Sequence, residues 1–158
     1  MKKLLTILFL FCSLLLSAQT VYYIDPAGVD GPSHTGSSSD PWLHLGYAAT
    51  RVTTAGDKIF VKLGTYTETG RTVLYPKVSI QGASQTGCII NFTYVATSVN
   101  DACIRLYSAS LEAGDQSITN LTITGSNLVA TRGIWIGYRH NVDITNCTIR
   151  DFAALGVH

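Results

Sequence analysis

Charge is scarce in this chain of 158 residues: lysine and arginine number 11, aspartate and glutamate 10, together 13% of the sequence. Such a balance excludes the basic footprint of a nucleic-acid-binding protein and the high net charge of a disordered chain. Proline is limited to four residues and methionine to one. No stretch reaches the roughly 20 apolar residues that a membrane-spanning helix needs. The sequence holds no Cys-x-x-Cys pair and no histidine at metal-ligand spacing from a cysteine, so a zinc site has no ligand set. It also has no Gly-x-Ser-x-Gly elbow, phosphate-cradling loop or dinucleotide fingerprint.

What is present begins with an export signal over residues 1–18. Lys2 and Lys3 form a basic start, Leu4 to Leu16 an apolar core too short for a span, and Ser17-Ala18 the small residues before a cut. Cys12 follows Leu-Phe-Leu-Phe rather than small residues, which is not the setting of a lipid-anchored cysteine. The mature chain is expected to start at Gln19 and to be secreted, extracellular or at the cell surface, with the periplasm as the other destination. Loss of Lys2 and Lys3 leaves nine bases against ten acids. Cys88, Cys103 and Cys147 then remain, each beside a β-branched strand pattern. Free thiols packed as small hydrophobes are favoured over one disulfide, whose pairing spacing alone cannot give.

Residues 19–57 read as a cap region. The Gly- and Ser-rich run from Ser33 to Asp40 suits a surface loop, and Asp40-Pro41 reads as an N-cap followed by proline at the first helical position. A helix is expected over about 41–54, with Trp42, Leu45, Ala48, Ala49 and Val52 forming one apolar stripe and Gly56 ending it. Such a helix is suited to cover the end of a strand stack.

Residues 58–158 read as strand after strand: Ile59–Leu63, Val73–Gln81, Cys88–Phe92, Cys103–Tyr107, Ile118–Thr124, Gly133–Ile136 and Val142–Arg150. Ile118-Thr119-Asn120-Leu121-Thr122-Ile123 returns as Ile144-Thr145-Asn146-Cys147-Thr148-Ile149, identical at five of six positions with an offset of 26. A period of that size denotes a repeat architecture. Ile118 and Asn120 share one parity while Leu121 and Ile123 share the other, so the inward face changes register and a bend belongs at the asparagine. Asparagine tolerates left-handed backbone angles, and its amide can bond to the same residue one coil away. Asn91, Asn120 and Asn146 stand in Asn-x-Thr sequons, but an inward corner amide is a poor glycan acceptor, and the corner role is preferred. The strands amount to about four coils of a stack that is incomplete at His158, as in the N-terminal portion of a longer protein.

The ordered set Tyr22-Tyr23-Ile24-Asp25-Pro26-Ala27-Gly28, Asp40-Pro41-Trp42, Ala55-Gly56-Asp57-Lys58-Ile59 and Lys62-Leu63-Gly64-Thr65-Tyr66-Thr67-Glu68 resembles the N-terminal region of the pectate-lyase-like right-handed parallel β-helix superfamily. The resemblance implies an all-β fold, a right-handed parallel β-helix (solenoid) with a short N-terminal capping helix. It further implies a polysaccharide partner and lyase- or glycosidase-like processing in coils beyond residue 158, with Ca²⁺ as the cofactor to consider, although the residues themselves make none evident. A non-catalytic surface or adhesion protein is the alternative.

No catalytic residue is assigned. Hydrolysis needs two carboxylates roughly 5–9.5 Å apart. One repeat below Asp143 lies near Ser117, and one below Asp151 near Gly125, so no pair forms. The substrate-binding candidates are Trp135, Tyr138, Arg139 and Asp143. Trp135 faces outward if Ile134 and Ile136 fill the core, and an outward aromatic can stack on a sugar; cover by a loop or a later segment is the alternative. Asp143 faces outward on similar grounds, where a solubilising role competes. Asp25, Asp30 and Asp40 lack the spacing of a calcium loop, and turn and cap roles are preferred for them and for His34 and His44. No metal ligand is assigned. Oligomeric state is not specified by any of these features.

Overall fold

The computed structural model of the chain describes residues 19–95, 101–128, 132–154 and 156–158. Residues 1–18, the expected export signal with Cys12, lie outside them. The elements in chain order are β1 (Val21–Ile24), α1 (Leu45–Arg51), β2 (Lys58–Val61), β3 (Gly64–Glu68), β4 (Thr72–Val73), β5 (Ser79–Gly82), β6 (Cys88–Phe92), β7 (Ala102–Thr119), β8 (Thr122–Leu128), β9 (Arg132–Thr145) and β10 (Thr148–Phe152).

The chain is predominantly β, and every pairing between these strands is parallel. One sheet runs β1-β2-β5-β7, with β4 and β9 also on β7; the other runs β3-β6-β8-β10. Parallel neighbours cannot be joined by a tight hairpin, so the chain leaves each sheet and returns. β7 and β9 pair in three stretches, separated by irregularities between Tyr107 and Glu112 and between Ala113 and Gln116 of β7.

Apolar residues line up in register. Ile59, Ile80, Ile118 and Ile144 form one ladder. Tyr66, Ile90, Ile123 and Ile149 form a second, and Ile104 and Ile134 anchor a third beside Thr72 and Val157. These ladders make the core, where Ile59, Ile80, Ile90, Ile104, Ile118, Ile123 and Ile134 are wholly buried. The offset of 26 is realised directly: Ile118 pairs with Ile144, Thr119 with Thr145, Thr122 with Thr148 and Ile123 with Ile149.

The bend expected at the asparagines is present. Asn120 and Asn146 take φ of 62° and 50°. Asn146 Nδ2 donates to Asn120 Oδ1 at 2.6 Å and Asn120 Nδ2 to the Gly82 carbonyl at 2.8 Å. The amides stand at a solvent-facing corner rather than inward, because the left-handed residue turns its side chain out of the apolar ladder. A second corner column precedes β2, β5 and the last paired stretches of β7 and β9. Gly56, Lys77, Asp115 and Asn141 have φ of 93°, 64°, 43° and 54°. They are tied by Gly56 N–H to Lys77 O, 2.9 Å, and Asn141 Nδ2 to Asp115 Oδ1, 3.0 Å.

Four expectations are corrected. The helix begins at Leu45, not Pro41, and ends at Arg51. Trp42 is held extended instead: its N–H donates to Tyr23 O at 3.0 Å and its carbonyl accepts from Asp25 N–H at 2.9 Å. Asp40 is not the N-cap, since its carboxylate is taken by His34 Nδ1 at 2.6 Å and Thr35 N–H at 2.8 Å. The first helical amides are capped by Glu68, which accepts from Leu45 N–H at 2.6 Å and Gly46 N–H at 3.1 Å. Trp42, Leu45, Ala48, Ala49 and Val52 are all buried, but only Leu45, Ala48 and Ala49 form the helix's apolar face. The stretch Val73–Gln81 is two strands, β4 and β5, because Lys77 turns the chain between them. β3 and β1 are additional strands. Cys88 and Cys103 are buried and Cys147 half-buried, all three as free thiols.

Candidate functional site

The outer surface of β4, β7 and β9 gathers aromatic side chains. Period-two alternation sends Ile104 and Leu106 inward and Arg105 and Tyr107 outward, and on β9 it sends Ile134 inward and Trp135 outward. Register places Val73 beside Arg105, Arg105 beside Trp135 and Tyr107 beside Gly137. Gly137 matters because a Cβ there would come within 3.0 Å of the Tyr107 ring and 3.1 Å of the Trp135 indole. Its absence lets the Trp135 indole lie along the strand and stack on Tyr107, with centroids 5.3 Å apart and planes within 16°. Tyr138, at φ 58°, meets Tyr107 edge-on at 6.0 Å. The Arg105 guanidinium lies 4.6 Å from the Trp135 centroid and 5.2 Å from that of Tyr107, within cation–π range. Its Nε is buried without a hydrogen-bond partner among the described residues.

Beside this cluster runs a shallow groove of about 210 Å³, lined by Val73, Leu74, Tyr75, Pro76, Tyr107, Ser108, Glu112 and Arg139. Tyr75 is 50% exposed, Tyr107 37% and Tyr138 59%. Arg139 forms the floor and is 9% exposed. It donates through Nε to Ser108 Oγ at 2.8 Å, through Nη1 to Leu74 O at 2.9 Å and Gln116 Oε1 at 3.0 Å, and through Nη2 to Tyr107 O at 2.7 Å. Four of its five N–H groups are thereby engaged. Burial lowers the guanidinium pKa, which the nearby Glu112 carboxylate partly offsets. Ser108 in turn donates to Glu112. Arg139 is therefore a brace that fixes the carbonyls behind Tyr75 and Tyr107, rather than an outward ligand-binding cation.

Trp135, Tyr138 and Arg139 are thus brought together. Asp143 is not with them: it is exposed on the far stretch of β9, paired in register with Ser117. The sequence reading missed Arg105, Tyr107, Tyr75 and Glu112. A signal for the first two exists, since Ile104-Arg105-Leu106-Tyr107 and Ile134-Trp135-Ile136-Gly137 share an alternation, but they share no residue beyond the first isoleucine.

No group of three His, Cys, Asp or Glu side chains converges among the described residues. Asp25 is held by Ala27 N–H at 2.9 Å and Lys62 at 3.1 Å, and Asp30 and Asp40 by His44 and His34. The oxygen set that Ca²⁺ requires is therefore not assembled from them. Nor is any helix among the described residues long and apolar enough to cross a membrane. No protein-family model, curated protein or solved structure was found to match the chain.

Proposed function

We propose that this chain belongs to an exported right-handed parallel β-helix of the pectate-lyase-like type, and that it binds polysaccharide along the groove beside Tyr107 and Trp135. The coil reading is supported by the all-parallel ladders and the two left-handed corner columns, and parallel crossovers are right-handed in about 98% of cases. The binding reading is carried by one observation, the aromatic cluster of exposed Tyr75, Tyr107 and Tyr138 with half-buried Trp135 on the outer face of the sheet. Aromatic rings present flat apolar area to the C–H faces of sugars while their polar tips stay wet. A stack prearranged across two strands loses little side-chain freedom when it binds.

Binding without cleavage by these coils is the reading the groove favours. Glu112 is the one carboxylate among its lining residues, and it is hydrogen-bonded to Ser108; two-carboxylate hydrolysis needs a second. Isothermal titration with soluble plant and microbial polysaccharides tests the proposal. Heat should be released with one of them, and the Trp135→Ala protein should bind it at least about tenfold more weakly, the cost of losing one stacked aromatic anchor. Binding unaffected by Trp135→Ala and by Tyr107→Ala would remove the groove from the function.

A further inference from the structure

A second depression, of about 360 Å³, lies at the cap and falls within the size range of small-molecule sites; its lining includes Asp30, His44, Gly46, Tyr47, Glu68 and Arg71. Its chemistry is built rather than incidental. Asp30 Oδ1 accepts from the Leu43 and His44 backbone N–H groups at 2.9 and 3.2 Å, and Oδ2 takes His44 Nδ1 at 2.6 Å. A carboxylate only accepts, so Nδ1 carries the proton shared with Asp30, and Nε2 is the ring's remaining polar atom. Glu68 is buried with its carboxylate against Gly46. A Cβ on Gly46 would stand 3.1 Å from Glu68 Oε2 and 3.7 Å from Thr72 Oγ1. The Thr72 hydroxyl lies behind Gly46, wholly buried and without a hydrogen-bond partner among the described residues.

We propose that this cleft is a second saccharide subsite, selective for a neutral sugar, that holds hydroxyl groups between His44 Nε2, Glu68 and Arg71. The proposal rests on the groove beside Trp135 being a glycan site. Glu68 and Arg71 line the cleft and Val73 to Pro76 line the groove, so one short segment walls both depressions. Vicinal hydroxyls both donate and accept, which matches a wall offering an imidazole nitrogen and carboxylate acceptors together with guanidinium donors. The carboxylates of Asp30 and Glu68 repel sulfate, phosphate and uronate groups, and Arg71 is already paired to Asp101 at 2.8 Å.

The test uses the full chain and two separate reporters. Imidazole resonances of His44, assigned with His44→Gln, are followed during titration with methyl glucoside, methyl galactoside, methyl mannoside, glucuronate and ethanolamine. Trp135 emission, read in Trp42→Phe protein, follows the groove independently. A neutral glycoside should shift His44, and Gly46→Ala, which fills the slot while favouring the helix, should weaken that binding about tenfold or more, the loss expected for hydrogen bonds to charged groups. A His44 shift with no neutral glycoside, an equal shift in folded Gly46→Ala, or preference for glucuronate or ethanolamine would overturn the proposal. Silence at Trp135 alone would instead fault the groove.

Discussion

An arginine that is almost fully buried has to satisfy its N–H groups from the protein, and Arg139 does so with two carbonyls, an amide oxygen and a hydroxyl. Removing it strands those acceptors, so Arg139→Ala is expected to cost at least about 2 kcal/mol in urea unfolding. Arg139→Lys should recover little, because one ammonium cannot span four acceptors set by a planar fork. Trp135 is the opposite case. It lies outside the core, and Trp135→Ala should cost less than about 1.5 kcal/mol of stability, the worth of an aromatic pair, while abolishing most polysaccharide binding. Sequence could mark Trp135 as outward from its isoleucine neighbours. It could not mark Arg139 as inward, because alternation fails across the irregularity between β7 and β9, and the residue's partners come from three separate segments. Cys103 follows the ordinary rule for a buried thiol: burial, with Asp101 adding to it, pushes its pKa up to about 12. It should be inert to alkylation at neutral pH until the protein unfolds.

At the scale of elements, the cap and the corners were not equally legible. The helix stripe was visible in Leu45, Ala48 and Ala49, yet its start was misplaced because the capping carboxylate comes from Glu68, 23 residues further on. Local sequence carries no trace of that. Glu68 and Asp101 also give opposite pH signatures. Burial raises the Glu68 pKa despite the two backbone amides that favour its charge. Its contribution is thus fully present below the ordinary glutamate pKa and is lost as pH rises through the raised folded value. Burial also acts to raise Asp101, but hydrogen bonds from Tyr94, Arg71 and Ala102 N–H outweigh it and its pKa is lowered. The Asp101 contribution is present above the ordinary aspartate pKa and lost as pH falls through the depressed one. Urea midpoints between pH 3 and 8 should therefore show the advantage of wild type over Glu68→Gln shrinking as pH rises, and that over Asp101→Asn shrinking as pH falls. Parallel pH curves for all three proteins would refute both assignments. At the corner, Asn146→Ala loses the amide ladder and places alanine at positive φ, for about 1–3 kcal/mol in all. Asn146→Gly removes the ladder bond alone and should cost less.

For the whole molecule, the repeat was legible because the same side chains recur on the same corner, so the pairing of Ile118 with Ile144 and Thr122 with Thr148 could be read from identity. The other rungs carry no such identity. Lys77, Asp115 and Asn141 share one corner conformation through three different residue types, since the left-handed turn is imposed by stacking and tolerated by each. The aromatic cluster was half legible for the same reason: Trp135 and Tyr138 are neighbours in sequence, whereas Arg105, Tyr107 and Tyr75 join them only when the strands stack. Electrophoretic migration in native gels cast with and without dissolved polysaccharide tests polysaccharide binding through this cluster most directly. The protein should be retarded by at least one polysaccharide, and Trp135→Ala and Tyr107→Ala proteins should run as in the empty gel. Equal retardation of all three, or retardation of none across neutral and acidic polysaccharides, would contradict it.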